Sequence, residues 1–245
     1  MTNLETWNQN LSENGAYLRC AHGVNEWKDL RIGKPVIVCG AGPSLDAAIP
    51  LLAKTDVPII ACDRAAKPLR AAGIKPFCIV TVEYHKEASA KLAGVAGLEG
   101  VPLVFDPLTC NATVSQYPGP LYTYDVPGVF VEGKGTIRRG TAVIISALGV
   151  AEMMDAGSII LVGADLGNPG GKLHAAGVNA VKGQRLDELF VKSVTGEWLS
   201  SHRNHIINVQ EMQLACADGF PIIQTSPEGA RIPGAKHMSL EEALR

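Results

Sequence analysis

Residues 35–46, PVIVCGAGPSLD, set an apolar run against two closely spaced glycines and a Pro-Ser pair. Gly40 and Gly42 carry no Cβ, so the backbone can turn sharply there and a ligand can approach the main chain. Pro43 and Ser44 then open a helix, proline being tolerated in a first turn. The first N–H groups of a helix lack intrahelical partners and sit at the positive end of its dipole, which suits a phosphate. A plain strand-to-helix turn is the other reading. The third glycine of a dinucleotide fingerprint would fall at Leu45, and no Gly-Lys-Ser/Thr follows, so neither that motif nor a P-loop is complete.

Three acids end later apolar runs. Asp63 closes VPIIACD, 21 residues past Gly42. An acid there commonly accepts hydrogen bonds from ribose hydroxyls, and it can also cap the helix that follows. Glu83 closes FCIVTVE and Asp165 closes SIILVGAD. Both are candidate ligands for Mg²⁺, an ion that takes few carboxylates and completes its shell with waters and substrate phosphates. Capping of the turns that follow is the alternative. His174 lies in a Gly-rich stretch after Asp165, with Lys172 nearby. It is a candidate general acid or base, or a partner for a leaving phosphate. Glu83, Asp165 and His174 are thus the candidate catalytic residues.

A second anion-binding candidate is EGKGTIRRGTAV, where Lys134, Arg138 and Arg139 precede a long helix and Thr136 and Thr141 lie near its start. Arginine forks at a helix N-terminus suit a di- or triphosphate, and a solvated basic turn is the alternative. Tyr84 and His85 could stack on a base or serve packing. His202 and His205, at i and i+3, lack a third ligand at suitable spacing and read as an exposed helix face. Ser44 lacks the GxSxG context of a nucleophile, so its hydroxyl is assigned to phosphate contact.

These residues need a scaffold that brings strand ends together, and the pattern supplies one. VIVCG, VPIIACD, FCIVTVE, VPLVFD, PLYTYD and SIILVGADLG read as strands, several continuously apolar as in a parallel sheet covered on both faces. SLDAAIPLLAK, AAKPLRAAG, HKEASAKLAG and GTAVIISALGVAEMMDAG read as intervening helices, with Pro50 a potential break and Gly157 a stop. Residues 168–186 read as a long polar loop, EWLSSHRNHIINVQEMQLACADG as one long helix, PIIQTS as a short strand and SLEEALR as a terminal helix. The expected class is α/β: a Rossmann-like, mostly parallel sheet with helices on both faces and an N-terminal helical extension. Residues 1–34 form that extension and residues 35–245 a Rossmann-like nucleotide-binding domain. Trp7, Leu11, Leu18 and Trp27 are the extension's anchors, or a dimer surface if the chain is a homo-oligomer.

Net charge of −2 argues against non-specific nucleic-acid binding, which needs a basic face. No stretch reaches the roughly 18 apolar residues of a membrane span, Glu152 interrupting the nearest one. The N-terminus lacks the basic and apolar regions of a signal peptide. Six widely spaced cysteines form no CxxC pair. Cys39, Cys62 and Cys78 sit in strand-like runs as small buried hydrophobes, consistent with a reducing, cytoplasmic setting.

In order, GAGPSLD, IIACDRAAKPLRAAGIKPFCIVTVE, ILVGADLG followed by LHAAG, and SPEGARIPG resemble the 6-hydroxymethylpterin diphosphokinase-like proteins. That family includes the central domain of bacterial motility-associated factors linked to flagellin glycosylation. The Gly-Pro-Ser-Leu loop is similar to one in a bacterial sialyltransferase family, where it contacts a cytidine nucleotide. The resemblance spans about residues 32–234. It implies a nucleotide-dependent transferase moving diphosphate from ATP with Mg²⁺, a glycosyltransferase using a CMP-sugar, or a protein that binds nucleotide without turnover. In the diphosphokinases an acid-rich Thr-Asp-Leu-Asp-like cluster follows the third strand; here that place reads TVEYH, with Glu83 as the one equivalent acid. An NAD-dependent dehydrogenase is disfavoured by Leu45 and by the lack of a Tyr-x-x-x-Lys pair.

Overall fold

The computed structural model describes residues 2–129, 131–176, 178 and 189–245. In chain order the strands are β1 (His22–Gly23), β2 (Pro35–Cys39), β3 (Ile59–Cys62), β4 (Cys78–Thr81), β5 (Leu103–Phe105), β6 (Leu121–Thr123), β7 (Ser158–Val162), β8 (Leu189–Lys192), β9 (Trp198–Ser201), β10 (Ile222–Gln224) and β11 (Lys236–His237). The helices are α1 (Asn3–Cys20), α2 (Leu45–Leu52), α3 (Ala66–Ala71), α4 (Asn111–Ser115), α5 (Val143–Met153), α6 (Arg203–Ala217) and α7 (Leu240–Ala243).

Nine strands form one sheet in the order β1-β6-β5-β4-β3-β2-β7-β10-β11. Every pairing in it is parallel. The chain builds outward from β2 through β3 to β6, then returns to the other side of β2 with β7, paired from Pro35↔Ser158 to Cys39↔Val162. This is the doubly wound topology, with its switch point between β2 and β7.

Alternation along each strand explains the continuously apolar runs. Val36 and Val38 of β2 enter one core, with Ile60 of β3, Leu161 of β7, Leu148 of α5 and Met212 of α6. Ile37 and Cys39 enter the other, with Ile79 of β4, Ile160 of β7, Leu45 of α2, Leu69 of α3 and Leu18 of α1. Both faces are dry, so both must be apolar. Burial pushes the Cys39 thiol up to about 12, and Cys62 and Cys78 are raised for the same reason, so these three pack as inert hydrophobes.

Several local expectations need correction. Pro50 does not break α2; it sits within the last turn, where the missing N–H costs a single bond. α5 ends at Met153, ahead of Gly157; the left-handed residue that stops it is Asp155, at φ 55°. Residues 86–91 form a 3-10 turn in place of a helix. The long helix expected from Glu197 starts only at Arg203, because Trp198–Ser201 pairs antiparallel with Leu189–Lys192. The segment 1–34 supplies α1, a 3-10 turn (Val24–Trp27) and β1, which pairs with β6 at one edge of the sheet. Part of the loop expected over residues 168–186, namely residues 177 and 179–186, lies outside the described residues. Among the described residues no helix is long and apolar enough to cross a membrane.

Candidate functional site

A cavity of about 480 Å³ opens over the carboxyl ends of β2, β3, β4 and β7. Its lining includes Gly40, Gly42, Asp63, Glu83, Thr141, Asp165 and His174. Residues spread over 135 positions of the chain thus meet at the switch point.

The glycine loop is built differently from the sequence reading. Gly40 N–H donates to Val162 O and Gly42 N–H to Gly163 O, both at 2.8 Å. Ser44 donates through both N–H and Oγ to Asp165 Oδ2, at 3.0 Å each. Ser226 Oγ donates to the other oxygen, Oδ1. The loop's amides therefore turn inward, and the Asp165 carboxylate already occupies the positive end of α2. A Cβ on Gly40 would stand 2.5 Å from Gly163 O, and one on Gly42 would overlap Asp165 Oδ2. The two glycines are required by the close crossing of the loops after β2 and β7. Pro43 closes the turn: its carbonyl accepts the Asp46 N–H at 3.4 Å.

Asp63 is fully buried and accepts from Arg64 N–H at 2.7 Å, Thr81 Oγ1 at 3.1 Å and Lys91 Nζ at 3.1 Å. Lys91 also pairs with Glu83 Oε1 at 2.7 Å, tying the ends of β3 and β4 together. With Asp165 engaged by Ser44 and Ser226 and Glu83 held by Lys91, the acids do not form a metal cage. Among the described residues no group of three His, Cys, Asp or Glu side chains could hold an ion. The described residues do not fit a resident Mg²⁺.

His174 belongs to a segment folded back over the glycine loop: Ala175 N–H donates to Ala41 O at 2.9 Å and Ala176 N–H to the Asp46 carboxylate at 3.0 Å. Arg64 Nη1 lies 3.2 Å from His174 Nε2. Guanidinium can only donate, so Nε2 is the acceptor and the ring proton sits on Nδ1. Burial, reinforced by the Arg64 charge, lowers the His174 pKa, so the ring is neutral with its lone pair toward Arg64.

α6 brings residues that the sequence reading set aside. His202, Asn204, His205 and Asn208 all line the cavity, so the two histidines do not lie on an exposed face. The rings of His202 and His205 are 3.6 Å apart. Burial, with His202 and His174 nearby, pushes His205 down to about 3. Its Nδ1 is buried without a hydrogen-bond partner among the described residues. A signal was present: Asn208 precedes the buried Val209, and His205, Asn208 and Met212 fall on one helical stripe.

The arginine pair does not join the cavity. Arg138 donates to Glu152 and Asp218, each at 2.8 Å, and lies over the Phe220 ring. Arg139 reaches buried Asp106 at 2.6 Å. Lys134 Nζ donates to Ala21 O at 2.6 Å. Thr141 stays at the rim, where its hydroxyl lies 3.2 Å from Asn208 Oδ1.

A doubly wound parallel sheet with its cavity at the switch point defines the Rossmann-like α/β class. Within that class the chain belongs to the MptE-like family: the model for "6-hydroxymethylpterin diphosphokinase MptE-like" matches residues 8–171. Among solved structures it is similar to the MAf glycosyltransferase from Magnetospirillum magneticum AMB-1, at TM-score 0.72 and 19% identity, over 88% of this chain and 35% of that one. The chain thus spans about a third of that protein's length. No curated protein sequence matches it.

Proposed function

We propose that the chain is a nucleotide-dependent transferase whose donor binds in the switch-point cavity, and that the donor is a CMP-sugar. The observation that carries this reading is the cavity's chemistry: Arg64, His174, His202 and His205 face a space whose acids are already engaged. A CMP-sugar leaves as a phosphate monoester. As the bond between the anomeric carbon and the phosphate oxygen breaks, the oxygen keeps the electron pair, and cationic or N–H groups such as Arg64 stabilise the charge. The acceptor oxygen forms the new bond to the anomeric carbon and gives its proton to His174 Nε2, whose lone pair is released once Arg64 turns to the phosphate. The MAf glycosyltransferase likeness supports the fold for such a reaction.

Diphosphoryl transfer from ATP is the second reading, favoured by the family match. There Mg²⁺ would arrive with the phosphates. Buried free thiols at Cys39, Cys62 and Cys78 suit a reducing compartment such as the cytoplasm for either reading.

The test is calorimetric titration and thermal shift with CMP, a CMP-sugar, ATP and NAD, each with and without Mg²⁺, followed by chromatography for released CMP. The proposal expects CMP and the CMP-sugar to bind without Mg²⁺ and NAD not to bind. Binding of ATP alone, and only with Mg²⁺, establishes the second reading instead. Binding without release of CMP to any acceptor makes the chain a nucleotide-binding protein.

A further inference from the structure

Past Glu83 the same cavity is lined by two rings, Tyr84 and His85, whose centroids lie 4.1 Å apart at 39°. Tyr84 is held by α1. Trp7 of α1 meets Tyr84 edge-on, with centroids 5.5 Å apart and an interplanar angle of 82°. Asn10 donates to Tyr84 O at 2.9 Å and Leu108 O at 3.0 Å. Asn14 donates to Pro107 O at 3.1 Å and Thr109 O at 2.7 Å. Both amides are buried, so each loop carbonyl they hold is fixed by a bond that is costly to break. α1 thus clamps the loops after β4 and β5 before any ligand arrives, which lowers the ordering cost of binding there.

The position also suits one ligand part. β4 is the second strand from β2, so the rings sit about 10 Å along the sheet from the glycine loop. Arg64 and His174 lie on the glycine-loop side, where they suit phosphate; the rings lie where the other end of an extended mononucleotide falls.

We propose that Tyr84 and His85 form the nucleobase subsite of this cavity. The inference rests on the nucleotide reading above and adds where the base goes. Base–aromatic stacking tolerates any base, because each has a π face. The subsite therefore separates a nucleotide from a sugar phosphate that lacks a base.

Titration calorimetry of the full chain with CMP and with ribose 5-phosphate tests it, on wild type, His85→Ala and Tyr84→Leu. His85 is exposed, and leucine keeps an apolar side chain against Trp7, so melting temperatures verify folding. Each variant should weaken CMP by roughly 5- to 150-fold, leaving ribose 5-phosphate within about twofold. CMP binding unchanged in both variants overturns the inference and leaves the nucleotide reading standing. Equal weakening of both ligands also overturns it. If wild type binds neither ligand, the nucleotide reading falls and the base subsite falls with it.

Discussion

Gly42→Ala adds one methyl group where the structure has no room. The new Cβ would overlap Asp165 Oδ2 and stand 2.8 Å from Gly163 O, the latter a backbone atom that cannot swing aside. Relief requires moving the loop after β7 or releasing Asp165 from Ser44, which costs the two bonds at 3.0 Å. Overpacking costs about 1–3 kcal/mol and each hydrogen bond to a charged group about 1.5–3 kcal/mol, so the cheaper relief sets an expected loss of about 1–3 kcal/mol. For a chain of this size that lowers the melting temperature by about 2–12 °C. The control is the same chemical change at Gly15, inside α1, where the nearest atom to an added Cβ is Arg19 Nη1 at 3.7 Å, an ordinary contact. Glycine within a helix costs roughly 0.5–1 kcal/mol relative to alanine, so Gly15→Ala should stabilise by that amount. Thermal and denaturant unfolding of the two variants give the comparison. Equal stabilities, or a Gly42→Ala protein as stable as wild type, would refute the claim that the loops after β2 and β7 are locked together through Asp165.

Arg64→Ala should weaken CMP binding by at least about tenfold while Arg139→Ala leaves it within about twofold, because a lost charge-assisted contact is worth about 1.5–3 kcal/mol and only Arg64 lines the cavity. Arg139→Ala should instead destabilise the fold by about 2–4 kcal/mol in denaturant unfolding, since buried Asp106 loses its cation. His205 has a folded pKa of about 3 against an ordinary 6.5, so between those values the unfolded chain binds the extra proton. Stability then falls as pH drops through that window, by at most about 1.4 kcal/mol per pH unit from this group, and His205→Gln should remove that part of the slope in unfolding measured from pH 7 to pH 4.

The strands around β2 were legible because burial on both faces leaves no polar position to interrupt them; Val36, Ile37, Val38 and Cys39 alternate between two cores and so read as one apolar run. The convergence of Gly42, Asp63, Glu83, Asp165 and His174 followed from strand ends in a parallel sheet. The reason for the glycines did not, because the partner that crowds Gly42 lies 123 positions away at Asp165. Arg138 and Arg139 looked like anion ligands by spacing, yet Glu152, Asp218 and Asp106 reach them from distant elements. Trp198–Ser201 looked helical because its strand partner, Leu189–Lys192, is recognisable only once Gly196 turns the chain at φ 91°. Asn10 and Asn14 gave no signal, because their partners are carbonyls of the loops after β4 and β5, 74 to 98 positions on.

The most direct test is a crystal structure of the chain with CMP bound. The phosphate should lie within hydrogen-bond distance of Arg64, over the carboxyl ends of β2 and β3. A nucleotide bound at the amino ends of the strands, in the cavity lined by Asp56, Pro58 and Lys75, or a switch-point cavity left empty beside it, would contradict the account.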